Sequence, residues 1–351
     1  MNPQYDVTIG IPVYNAEQFL RQTMDSALAQ TYQSIEFLLV DDGGSDGSVA
    51  LLRELQATHP RGADLRIASQ PRNMGVSAAR NRIIDEARGR FLYFMDSDDT
   101  IEPHTIALLM EHQRRTEADV VFGSYEKIEL YNGGAKADAC IYPRCDLLDE
   151  DQLASFAYRK YGGIQASACN YLVSLDLLRS TGLRFIDTNY WEDMAFTFDL
   201  VTYARRAVLL PDVTYHYLCR LDSLSNYQQR TVIGKAEVER NIATVAHMKR
   251  PWQRLQDKPY LPNRYYNAVM TDFYVVCNIL KNRHVIQPPF TARELKAAMR
   301  HPAPLSAILG YRTARTKNLL LWMLGRLPAQ VMVLVIRCLM AASEWRRNRK
   351  R

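Results

Sequence analysis

The stretch LLVDDGGSDGS, Leu38 to Ser48, decides the fold. An apolar β run ends in two adjacent carboxylates, Asp41 and Asp42, and passes into glycines, serines and a third aspartate. Adjacent carboxylates repel and resist burial, so a strand ending this way must meet something cationic or rich in hydrogen-bond donors. Upstream, VTIGIPV (Val7 to Val13) is a second strand. Between the two, Phe19, Leu20, Met24, Ala27 and Leu28 recur at helical spacing behind Asn15, which with Gln18 three residues on reads as a helix cap. Downstream come a helix across VALLRELQ, the strand LRIAS (Leu65 to Ser69), a helix from Val76 to Ala87 and the strand RFLYFMD (Arg90 to Asp96). A helix from Pro103 to Arg115, the strand DVVFGSY and the turn YNGGAK between paired strands continue the rhythm.

This alternation predicts an α/β fold with a mostly parallel, Rossmann-like sheet sandwiched by helices. Ligands of open α/β sheets bind beyond the carboxyl ends of the strands, where loops and helix N-termini converge. Asp41 and Asp42 close one strand, and DSDD (Asp96 to Asp99) closes another, so two distant pieces of sequence are expected in one cleft.

The 351 residues, 47% hydrophobic and 23% charged, suffice for one large domain and an accessory segment. The expected boundary divides 1–228 from a helical extension, 229–351. Six scattered cysteines without a C-x-x-C pair signal neither a zinc site nor a disulfide framework and read as reduced cytosolic thiols. The N-terminus lacks the pattern of a secretory signal, so the catalytic part is expected inside the cell. From Tyr311 onward, ten Lys/Arg face a single Glu, about +9, which leaves roughly −3 for the rest of a chain whose net charge is +6. That argues against nucleic acid as a partner of the body and for an anionic partner at the C-terminus, of which a membrane surface is the commonest.

The acidic clusters admit specific chemistry beside plainer roles. Mg²⁺ or Mn²⁺ takes oxygen ligands, often one or two carboxylates plus substrate phosphates. In an extended segment Asp96 and Asp98 point the same way, so one suits a metal and the other a sugar or ribose hydroxyl. The alternative is a solvated turn, with Asp99 or Thr100 capping the next helix. Asp42 either bonds the amides of Gly43 and Gly44 or accepts from a nucleobase or ribose. Arg80, on the first turns of the helix after RNMG, is a surface charge, a partner of Asp41, or the holder of an acidic site residue or a diphosphate. Glu192 and Asp193 in YWEDMAF open a helix, where carboxylates favour the dipole; a catalytic base projecting into the cleft sits similarly.

Taken in order, IPVYN, ALAQTY, VDDGGSDGS, NMGVSAARN, FLYFMDSDD and WEDM resemble the family 2 glycosyltransferases with a GT-A fold, over roughly Val7 to Ser225. Gly44 stands where the usual VDDGSTDGS has its first serine, and the acidic positions are intact. The resemblance implies an inverting enzyme of the bacterial surface-polysaccharide type. It implies that Pro12 and Tyr14 wall a nucleobase pocket and that Asp42, with Asp41 nearby, contacts base or ribose. Asp96, Asp98 and Asp99 would hold Mn²⁺ or Mg²⁺ on the donor diphosphate. Asp193 would be the general base, with Glu192 assisting the acceptor. TYHYLCRLDSLS resembles the family's segment after the base helix; there His216 is a metal ligand or a packed ring, and Arg220 a diphosphate clamp or an exposed charge. The donor implied is a nucleotide sugar, with uridine as the habitual base. The acceptor is a hydroxyl of a lipid-linked glycan.

Two other readings are open: a sugar-phosphate nucleotidylyltransferase, whose glycine-rich N-terminal loop is missing, and a non-catalytic glycan-binding protein retaining the fold. Beyond Arg230 the family pattern gives out. NLLLWMLGRLPAQVMVLVIRCLMAASEWRRNRKR is apolar, but Arg326, Pro328, Gln330 and Arg337 interrupt it before a spanning length accumulates. Pro328 divides it into two helices, and Gln330, Arg337 and Glu344 recur every seven positions. This fits an in-plane helix pair on an anionic inner leaflet, which places the protein peripherally on the cytoplasmic face. The alternative is packing against the catalytic domain or a partner subunit.

Overall fold

The structure, a computed structural model, describes residues 4–131, 134–159, 164, 167–188, 191–219 and 232–348. The first part alternates strand and helix: β1 (Tyr5–Val13), α1 (Glu17–Leu28), β2 (Ile35–Asp41), α2 (Ser48–Thr58), β3 (Leu65–Ser69), α3 (Val76–Glu86), β4 (Gly89–Phe94), β5 (Thr100–Ile101) and α4 (Thr105–Thr116). It continues through β6 (Val120–Tyr131), β7 (Gly134–Cys140), β8 (Cys145–Leu147), α5 (Gln152–Arg159), β9 (Tyr171–Ser174), α6 (Leu175–Thr181), α7 (Glu192–Leu200) and β10 (Ala207–Cys219).

The main sheet runs β3-β2-β1-β4-β9-β6-β10-β5, with β7 on β6 and β8 on β10. Strands β3, β2, β1 and β4 are mutually parallel. Strand β9 enters antiparallel between β4 and β6. Val7, Ile9, Ile11 and Val13 of β1, with Ile35, Phe37, Leu38, Leu39 and Val40 of β2, are fully buried, the signature of parallel strands covered on both faces. Helix α3 lies close on β1: a Cβ at Gly10 would meet the Ile83 side chain at 2.3 Å. Register pairs Val13 with Asp41 and Gly10 with Phe94. Tyr14, Asp42 and Asp96 therefore leave the sheet at one edge.

The described chain divides into two units, 1–153 with 164–223 and 154–163 with 224–351. The boundary expected at 228 omits the return of α5 to the second unit. Its Tyr158 ring lies 5.7 Å from that of Tyr260, and its hydroxyl accepts from the buried Arg264 at 2.6 Å. The second unit contains β11 (Ile233–Gly234), α8 (Lys235–Met248), α9 (Leu261–Lys281), β12 (Ile286–Gln287), α10 (Ala292–Ala298), α11 (Leu305–Gly310), α12 (Arg315–Arg326) and α13 (Ala329–Asn348). Helices α12 and α13 flank Pro328 as the sequence predicts. Leu321, Met332 and Ile336 are buried, and Asn318 donates to the Pro262 carbonyl at 2.9 Å. Among the described residues no helix is long and apolar enough to cross a membrane.

Candidate active site

The loops that follow β1 and β2 lock together. Asn15 sits at φ 47°, and its Oδ1 accepts from the Ser45 amide at 2.8 Å. It does not cap α1; Ala16 takes that position without a side-chain bond, because the Asn15 amide is used between loops. The Asp46 carboxylate accepts from the Glu17 amide at 2.9 Å, and Glu17 in turn accepts from the Gly47 amide at 2.8 Å. The turn bond expected of Asp42 belongs to Asp41, whose Oδ1 accepts from the Gly44 amide at 3.1 Å. Gly43 between them has φ +72°, and a Cβ there would strike the Arg72 backbone at 2.7 Å, so only glycine fits.

Asp42 is turned toward the next loop. Its Oδ1 accepts from Gln70 Nε2 at 2.6 Å and the Met74 amide at 2.7 Å, and its Oδ2 from the Gly75 amide at 2.8 Å. These donors are what the paired carboxylates of LLVDDGGSDGS require, and they leave Asp42 only 3% exposed. Pro12 is buried within β1 opposite Val40, whereas Tyr14 is half exposed beside this edge.

The second acidic turn is organised by Arg80. This buried side chain, on α3, donates through Nη2 to Asp96 Oδ1 and through Nη1 to Glu192 Oε1, both at 2.7 Å. Burial works against the guanidinium charge, but the two carboxylates outweigh it and hold its pKa above the ordinary arginine value. Its ring neighbour is Phe185, which stacks on Phe196 at 4.0 Å. Of the roles open to Arg80, the structure selects the holder of acidic residues. Each terminal nitrogen gives one N–H to a carboxylate, so the side chain is anchored between the two acidic segments.

Asp99 departs from the ligand role. It is 1% exposed; its Oδ2 accepts from the Tyr215 hydroxyl at 2.5 Å and its Oδ1 from the Leu218 amide at 2.8 Å. Burial, then the Asp96 and Asp98 charges, raise its carboxyl well above the usual range. It caps no helix either, since α4 starts only at Thr105. His216, opposite Thr100 in the β5–β10 pair, has Nε2 2.8 Å from Glu102 and Nδ1 3.3 Å from Glu126. Both ring nitrogens are thus engaged by carboxylates, the packed arrangement of the two that the sequence allows.

Glu192 and Asp193 open α7 as expected, after Trp191 at φ 60°. Helix α3 holds this segment at three further points: Ser77 donates to the Thr188 carbonyl at 2.7 Å, and Asn81 exchanges two 2.9 Å bonds with the Phe185 backbone. Asp193 accepts from the Met194 amide at 2.6 Å. Its carboxyl is pushed up to about 7, chiefly by burial and then by the Glu192 charge. A carboxylate so poised suits proton abstraction near neutral pH.

Asp96 Oδ2 has no partner among the described residues, and Asp98 lies partly exposed in the same turn. Among the described residues no group of three His, Cys, Asp or Glu side chains forms a metal cage. Two carboxylates at a turn fit the sparse protein share of a Mg²⁺ or Mn²⁺ site completed by substrate phosphates. Sequence reasoning missed Gln70, the Met74 and Gly75 amides, and Tyr215, which bonds Asp99 and also accepts from the Asp96 amide at 3.2 Å. It missed Cys169 too, whose backbone forms a parallel β-bridge with Phe94 and whose buried thiol is pushed up by burial and the Asp96 charge. NMGVSAARN carries Met74 and Gly75; nothing local marked Gln70, Tyr215 or Cys169. Arg220, with Ser223 and Ser225, lies outside the described residues.

An open sheet with acidic turns at its carboxyl edge and a braced carboxylate opposite defines the GT-A class of fold. Residues 8–152 match the family model of glycosyl transferase family 2. The likeness to that family extends over this segment of the first unit. EpsH of Bacillus subtilis (strain 168), assigned to the glycosyltransferases, is 29% identical over 245 residues, 68% of each chain. In seven other curated relatives the match spans only 10–54% of their length. The crystal structure of S. aureus TarS 1–349 in complex with UDP-GlcNAc superposes with a TM-score of 0.55 at 17% identity, over 91% of this chain and 90% of that one. The mannosyltransferase PcManGT from Pyrobaculum calidifontis in complex with GDP-Man and Mn²⁺ gives 0.52 at 16% identity, over 95% and 87%. At these identities the superpositions establish the fold.

Proposed function

We propose that the protein is a non-processive inverting glycosyltransferase moving one sugar from a nucleotide diphosphate-sugar, a UDP-sugar first, to a hydroxyl of a lipid-linked glycan. The observation that carries the reading is the Arg80 bridge, which fixes the Asp96 turn and the Glu192–Asp193 helix start on the two ends of one guanidinium. The UDP-GlcNAc and GDP-Man complexes of the two fold neighbours support the donor class.

Asp41 and Asp42 order the loops beside Tyr14, where the base and ribose are received, with Pro12 beneath. Asp96 and Asp98 would hold Mn²⁺ or Mg²⁺; when bound, the ion supplies Lewis-acid stabilisation of charge on the departing diphosphate. Asp193 accepts the proton of the acceptor hydroxyl while Glu192 orients that hydroxyl. The oxygen forms a bond to the anomeric carbon from the face opposite the diphosphate. The bond to the diphosphate oxygen breaks with its electron pair, so configuration inverts without a covalent enzyme intermediate. The C-terminal unit is read as contact with an anionic membrane surface on the cytoplasmic face.

A screen of nucleotide sugars with Mn²⁺ by thermal shift identifies the donor, since a ligand of the folded state raises its apparent stability. With that donor, Asp98→Ala weakens Mn²⁺-dependent binding in calorimetry, and Asp193→Asn retains donor binding while losing transfer. Equal binding by wild type and Asp98→Ala removes the metal assignment.

A further inference from the structure

The C-terminal unit holds a cavity of about 350 Å³ among the end of α9, β12, α10 and α13, within the size range of about 300–1,000 Å³ for small-ligand sites. Its lining is split by chemistry. Ile279, Leu280, Pro289 and Phe290 give it an apolar interior, whereas Arg283, His284 and Arg337 bring basic groups to it. Among the described residues these three have no acidic partner, although ion pairs are frequent elsewhere in the molecule. Exposed basic groups around an apolar hollow complement a molecule with an anionic head and a hydrocarbon tail.

Helix α13 indicates where such a molecule comes from. Val331, Leu334 and Trp345 are 43, 61 and 57% exposed, and with exposed Cys338 they recur at the helical spacing of one face. Arg337 lies three residues on from Leu334, so the cavity adjoins this apolar face. The sequence beyond it ends in RRNRKR.

We propose that this cavity is a lipid site, in which Arg283, His284 and Arg337 receive the phosphate of an anionic membrane phospholipid and the apolar lining takes the start of its chain. The inference rests on the reading that the C-terminal unit contacts a membrane surface, and not on the transfer reaction.

Co-sedimentation of the full chain with vesicles tests it. Wild type binds equimolar phosphatidylglycerol/phosphatidylcholine vesicles and not pure phosphatidylcholine. Loss of one basic residue near an anionic surface weakens partition about fivefold, so Arg283→Gln/Arg337→Gln loses roughly thirtyfold, with an unchanged thermal midpoint. Arg250→Gln/Arg300→Gln, two exposed arginines of the same unit away from the cavity, removes equal charge with a smaller loss. Leu280→Trp, which crowds the cavity at constant charge, also weakens binding. Equal losses from the two arginine pairs, or undiminished binding by Arg283→Gln/Arg337→Gln, overturn the site while membrane contact stands. Failure of wild type to bind the anionic vesicles overturns membrane contact itself, and the lipid site with it.

Discussion

Arg80 and Asp193 carry the energetic weight at the scale of single residues. A buried cation between two carboxylates is costly to break from one side, because the remaining charges lose their partner. Arg80→Met is expected to destabilise the domain by about 3–5 kcal/mol, read from the denaturant midpoint. Asp193 behaves oppositely. Its pKa rises from 3.8 in the unfolded reference to about 7, so between these values the folded state holds the extra proton and stability falls as pH rises. Asp193→Asn removes that fall. Its unfolding free energy should exceed that of wild type above pH 7, by on the order of 1–4 kcal/mol, and the difference should shrink toward pH 4. With Asp193 as the base of the proposed reaction, transfer by wild type should rise with pH through about 7, as that carboxyl loses its proton, and reach a plateau.

At the scale of elements, α3 is a strut. Its Ser77, Arg80 and Asn81 all reach the segment leading to α7, while the loop before it is pinned by Asp42. Asp42→Asn keeps the shape but cannot accept three N–H donors equally; a loss of about 1–3 kcal/mol is expected, with faster proteolytic cutting near Met74. Strands β1 to β4 and the acidic positions were legible from the sequence, because apolar runs and their polar terminators are local signals. The insertion of β9 between β4 and β6 was not, since antiparallel partners far apart in sequence leave no local mark. For the same reason DSDD read as one cluster, although Asp99 turns to Tyr215 and Asp96 to Arg80. Asn15 misled because its cap-forming chemistry also suits a left-handed turn bonded to a neighbouring loop.

Across the whole molecule, charge and apolar exposure are unevenly shared, with the basic excess confined to the C-terminal end. The two-helix reading of that end held, but α12 and α13 are also built into the core of their unit. Cutting the chain at Tyr311 would therefore remove buried Leu321, Met332 and Ile336 as well as the exposed face. Point variants separate the two: Ile336→Ala, fully buried, should cost about 2–5 kcal/mol, whereas Leu334→Ala on the exposed side should change stability by no more than about 0.5 kcal/mol. Paired denaturation curves decide between them.

The shared guanidinium has a thermodynamic corollary. Whatever draws charge from Asp96 alters the same cation's hold on Glu192, so under the proposed function, with the donor at Asp96 and the acceptor at Glu192, occupancy of one is coupled to readiness of the other. Such coupling is reciprocal by necessity: an acceptor that engages Glu192 must change donor affinity by the same factor.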